Sequence, residues 1–175
     1  MKKLLIIFLI VIPLSVLSKN KQDEIIIPKE AIRFRVLANS NNSYDQKVKM
    51  KLSIELQKEI QELLKETKNI KEAKQIINNN MELLNMKIKE ILRKENYKDD
   101  YKLSFGNTFF PEKKYKDIIY EKGYYDTLLI TLGKGEGHNW WCVLFPPLCL
   151  MEAEETNTGK TEYKFFIKEI LDKYL

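Results

Sequence analysis

AIRFRVLANSNNSYDQ, residues 31–46, changes character twice in sixteen positions. Ile32, Phe34 and Val36 alternate with Arg33 and Arg35, the period of a half-buried strand. NSNNS, residues 39–43, then gathers turn-forming side chains. Ser43 with Gln46 has capping-box spacing and predicts a helix to about Lys65, carrying Val48, Leu52, Leu56, Ile60 and Leu63/Leu64 on one stripe. A strand that turns directly into a long amphipathic helix sets the fold class.

Asn69 and Glu72 repeat the capping signal and predict a second helix to about Lys94. Its inward residues are Ala73, Ile76, Ile77, Met81, Leu84, Ile88, Ile91 and Leu92. Charged residues between the stripes, among them Lys49, Glu55, Lys58, Glu59 and Glu62, read as a solvated face. After Asp99 the period shortens. YKLSFG, YKDIIYEKG and YYDTLLITLG carry aromatic and β-branched residues between turns and read as antiparallel strands. WWCVLF reads as another strand, stopped by Pro146 and Pro147. Residues 155–162 read as a loop, and YKFFIKEILDKYL as a strand beginning that becomes a terminal helix. The expectation is an α+β fold, two amphipathic helices packed with a mainly antiparallel sheet.

The chain of 175 residues is long enough for one domain with a real core. It opens with MKK and an uncharged run, Leu4 to Ser18, which reads as a signal peptide cut after Ser18 or a retained membrane anchor. Either way the remainder is sent outside. Residues 19–30 then form a linker and 31–175 a single extracytoplasmic domain. Removing residues 1–18 takes Lys2 and Lys3 and lowers the formal charge from +5 to +3. That mild excess is compatible with association at a membrane surface. Lysines interleaved with glutamates give no nucleic-acid stripe.

GKGEGHNWWCVLFPPLC, residues 133–149, is where chemistry would be sought. It holds both tryptophans, both cysteines and the single histidine. Its glycines lack P-loop or Rossmann spacing and predict turn geometry instead. His138, Cys142 and Cys149 are one ligand short of a structural zinc site, so no metal or other cofactor is expected. A His138–Cys142 dyad has no orienting third group. In oxidising surroundings Cys142 and Cys149 would pair; in an anaerobe both thiols could stay reduced. Adjacent Trp140 and Trp141 on an extended segment point to opposite faces, so one can enter the core while the other meets a partner.

NWWCVLFPPLC (139–149) and RFRVLANSNNSYDQ (33–46) together resemble the stage II sporulation protein R family of spore-forming Firmicutes. TFFPEKKY (108–115) and YKFFIKEI (163–170) follow that resemblance in order. The sequence departs from the family pattern at Arg35, where histidine is common, and at Asn41, where aspartate is common. The resemblance implies a protein made in the forespore and exported into the space between forespore and mother cell. There it would activate a membrane-embedded aspartic protease that processes pro-sigma-E. It implies a signal rather than an enzyme. The residues expected to meet the partner are Arg33, Arg35, Asn39, Ser40, His138, Asn139, Trp140 and Trp141. The alternative from the residues alone is an exported thiol or carboxylate hydrolase acting on the cell envelope.

Overall fold

The computed structural model describes residues 24–115, 118–149 and 160–174. The segment expected to direct export, residues 1–18, lies outside them. A four-stranded sheet forms the centre, ordered β3 (Tyr101–Phe110), β6 (Gly123–Leu132), β2 (Ile32–Leu37), β7 (Asn139–Phe145). β3 and β6 pair antiparallel, as do β2 and β7, whereas β2 and β6 run parallel. A smaller sheet is ordered β1 (Ile25–Ile26), β5 (Ile118–Tyr120), β4 (Lys113–Tyr115). The α+β expectation holds. Each sheet, however, contains one parallel pair, because β1 and β5 also run parallel.

Ile32, Phe34 and Val36 face a layer of three helices: α1 (Ser43–Leu64), α2 (Ile70–Asn79) and α3 (Met81–Lys94). Val48, Leu52, Leu56 and Ile60 are fully buried against that face, as the stripe requires. Two local readings change. Asn42, not Ser43, caps α1: its Oδ1 accepts from the Asp45 amide at 2.7 Å. The Gln46 side chain donates to the Ser40 carbonyl instead of closing a box. The single helix expected after Asn69 is two. Asn80, the last of three consecutive asparagines, turns its side-chain amide onto the Ile76 carbonyl and leaves helical geometry. Such local side-chain bonds compete with the helix ladder. The Asn69 cap stands, with its Oδ1 accepting from the Glu72 amide.

The opposite face of the sheet carries its own apolar packing. Ile27, Ala31, Ile118, Tyr120, Val143 and Leu148 form a second apolar cluster there, joined by Ile167 of α4 (Lys160–Tyr174). The folded part therefore starts by Ile25, within the stretch assigned to the linker. α4 is helical from Lys160, which corrects both the strand beginning at Tyr163 and the end of the loop expected over 155–162. Residues 155–159 of that loop lie outside the described residues. Ile167, Ile170, Leu171 and Tyr174 recur at helical spacing toward the core, while Phe166 is exposed. Among the described residues no helix is long and apolar enough to cross a membrane.

Candidate functional site

The segment 133–138 leaves β6, crosses the end of β2 and enters β7, so it must lie against the turn that follows β2. Backbone bonds fasten the two: Gly137 N donates to the Ala38 carbonyl and Glu136 N to the Asn39 carbonyl. Asn39 Oδ1 accepts from Lys134 N, while Asn39 Nδ2 donates to Asp99. His138 N donates to Asn41 Oδ1, and the His138 carbonyl accepts from Lys49 of α1. Burial holds the Lys49 ammonium below its ordinary pKa. Ser40 Oγ donates to Asp45, tying the turn to the start of α1. Close approach explains the glycine at 137: a Cβ there would stand 2.2 Å from the Ser40 carbonyl oxygen.

Trp140 and Trp141 point to opposite faces. Trp140 meets Phe34 edge to face on the helix side, centroids 5.5 Å apart. Trp141 joins the other face, where Arg33 lies. Arg33 was expected on a half-buried strand and at a contact surface. It is instead 0% exposed. Its guanidinium carbon sits 3.5 Å from the Tyr125 centroid, 4.5 Å from Phe110, 5.1 Å from Trp141 and 5.9 Å from Tyr120. Nε, Nη1 and Nη2 find no hydrogen-bond acceptor among the described residues. The rings brace one another edge to face, Phe110 against Tyr125 and Trp141, and Tyr120 against Trp141. Burial lowers the Arg33 pKa, and the neighbouring Tyr125 and Tyr120 work the other way.

Arg35, two residues on, remains half-buried on the same face. Its Nε and Nη2 donate to the Asn139 amide oxygen at 2.9 Å each, the amide orientation that these two donors require. Phe110 lies 5.2 Å from its guanidinium carbon. The anticipated residues thus divide into three places. Arg33, Arg35, Asn139 and Trp141 share one sheet face; Trp140 lies on the other; Asn39, Ser40 and His138 form the turn at the sheet end. Sequence reasoning missed Phe110, Tyr120 and Tyr125. They stand in aromatic-rich strands, but only the strand order brings them to Arg33.

Cys142 and Cys149 are joined in a disulfide, and Cys149 also contacts the Val143 carbonyl. So bonded, Cys142 carries no thiolate, and exposed His138 is engaged through its backbone. Among the described residues no cluster of histidine, cysteine and carboxylate side chains is arranged to hold a metal.

The family profile described as Stage II sporulation protein R (spore_II_R) matches residues 28–155. Stage II sporulation protein R of Bacillus subtilis (strain 168) is 37% identical over 145 residues, covering 83% of this chain. The match spans 65% of that relative's length, so a third of it has no counterpart in the alignment. No solved structure matches. The profile begins just after β1, runs through the disulfide and takes in both the arginine face and the tryptophan strand, and on that ground the chain belongs to the stage II sporulation protein R family.

Proposed function

We propose that this chain acts in sporulation as an exported, non-catalytic signal. It would reach the space between forespore and mother cell and switch on a membrane-embedded aspartic protease. That protease would then remove the pro-sequence of sigma-E. Family membership over residues 28–155 is the observation that carries the reading. The disulfide also favours it over a thiol hydrolase, since both cysteines are engaged. Activation requires that the chain bind the active arrangement of the protease more tightly than the inactive one; equal affinity for both would shift nothing.

The test is reconstitution of the cognate membrane protease with its pro-sigma substrate, with and without the purified chain. The expected outcome is processing only when the chain is present. Processing at the same rate without it overturns the proposal. Trp140→Ala and Trp141→Ala, each first checked for folding, then locate the contact. The Trp141 face is expected to matter more, because Trp140 is turned toward the helices.

A further inference from the structure

Arg33 and Arg35 lie on one face of β2, about 7 Å apart along the strand. Every ion pair among the described residues is made by a lysine, and neither of these arginines takes part in one. Asn139 occupies the place where a carboxylate would ordinarily grip Arg35. It supplies an oxygen without a charge, so the guanidinium is oriented but not neutralised. The two bonds engage the Nε–Nη2 edge. The end-on Nη1–Nη2 fork keeps its donors, and no acceptor among the described residues takes them.

Arg33 is the second, independent observation. It is a fully buried guanidinium with no acceptor or carboxylate partner among the described residues, and water does not screen its field there. Phe110 lies beside both guanidinium groups, its ring centre 4.5 Å from the Arg33 carbon and 5.2 Å from that of Arg35. We infer that the part of this sheet face around Arg35, which no described residue covers, is a carboxylate-binding site, in which Arg35 makes the contact, Arg33 supplies a buried positive field, and an acidic side chain of a partner protein is the ligand.

The surroundings favour a peptide carboxylate over a lipid or nucleic-acid phosphate. Leu37 and Leu129 beside Arg35 are half-buried, giving an apolar floor for an extended segment. The lysines of the chain are interleaved with glutamates, and the other basic residues on this face, Lys102 and Lys113, stand on separate strands rather than in a stripe. Identifying the partner as the protease rests on the function proposed above; the carboxylate chemistry does not.

The experiment is an NMR titration of the chain, following the Arg35 Nε–H resonance. The probes are N-acetyl-glutamate amide, the uncharged N-acetyl-glutamine amide, and inorganic phosphate. Saturable movement with the glutamate probe is expected, at least tenfold weaker with glutamine and weaker with phosphate. Arg35→Gln is expected to abolish binding, read from neighbouring backbone amides, with the remaining spectrum unchanged. Arg33→Met is expected to weaken it several-fold. Equal response to glutamate and glutamine, tighter binding of phosphate, or undiminished binding by a folded Arg35→Gln variant overturns the inference. Because no protease is present, failure here leaves the activator proposal standing. Carboxylate binding with no activation in the reconstitution would have the opposite meaning.

Discussion

The Arg33 guanidinium lies 3.5 Å from the centre of the Tyr125 ring, in a fully buried site without a hydrogen-bond acceptor among the described residues. Two effects compete there. Removing a guanidinium from water costs several kcal/mol even after relaxation. Cation–π contacts return about 2 kcal/mol or more when desolvated, and the returns from several rings do not add fully. Desolvation is expected to win. Arg33→Met, which keeps a long flexible stem, should leave stability unchanged or raise it by about 1–2 kcal/mol. Chemical denaturation measures this directly. A loss above about 2 kcal/mol would show that the cation holds the cage together.

Even over its short span the disulfide should contribute measurably. Cys142 and Cys149 are seven apart in sequence, and both are buried. Closing a loop of that length removes about 2.5 kcal/mol of unfolded-state entropy. Cys142→Ala/Cys149→Ala should therefore lower the denaturation midpoint by an amount worth about 2–3 kcal/mol. Reductant should have a similar effect on the native chain and none on the double variant. Equal midpoints with and without reductant would contradict this.

Two glycines should respond in opposite ways to alanine. At Gly137 an added Cβ meets Ser40 backbone atoms at 2.2 and 2.6 Å, and backbone cannot step aside like a side-chain tip. Gly137→Ala should cost about 1–3 kcal/mol. At Gly106, in β3, nothing lies within 4 Å of the added atom. Gly106→Ala should be neutral or stabilising by about 0.5–1 kcal/mol. Thermal unfolding of the two variants beside the native chain checks both signs. A destabilised Gly106→Ala or an unaffected Gly137→Ala would refute the close-approach account.

Val48, Leu52, Leu56 and Ile60 were readable because helix periodicity is local. The opposed tryptophans were readable because a strand alternates faces. Arg33 reads as a solvent-facing partner of Arg35 by the same alternation, yet it is sealed. Its covering comes from Phe110, Tyr120 and Tyr125, which lie 77 to 92 positions away along the chain. Only pairing of β3 with β6 and of β6 with β2 brings Phe110 and Tyr125 alongside. The Asn80 break was obscured for another reason: the apolar stripe runs on from Ile77 to Met81 and Leu84 while the backbone between them does not stay helical. In the candidate site, the bonds joining Asn39 and Asn41 to the 133–138 loop are long-range and leave no periodic trace.

Tyr97 supplies a pH test. It follows α3, where Asn96 adopts a positive φ of 56° and Tyr97 N donates back to the Leu92 carbonyl. The chain end of the helix thereby turns the phenol inward, and its hydroxyl has no acceptor among the described residues. Burial pushes its pKa up to about 12, with Asp99, Asp45 and Tyr44 adding to the shift. The unfolded chain ionises near 10 while the folded one keeps the proton. Tyr97 therefore favours the folded state fully below pH 10, and that contribution is lost as pH rises from 10 to 12. Partial access of water limits the loss to about 1–2 kcal/mol. Tyr97→Phe removes the ionisable group, so the difference in stability between variant and native chain should widen in the variant's favour across this window. At neutral pH the variant should already be equal or more stable by about 1 kcal/mol, since it no longer buries a hydroxyl without an acceptor among the described residues. Denaturation midpoints for both proteins from pH 8 to 12 provide the measurement, and parallel curves throughout would rule out Tyr97 as the group responsible.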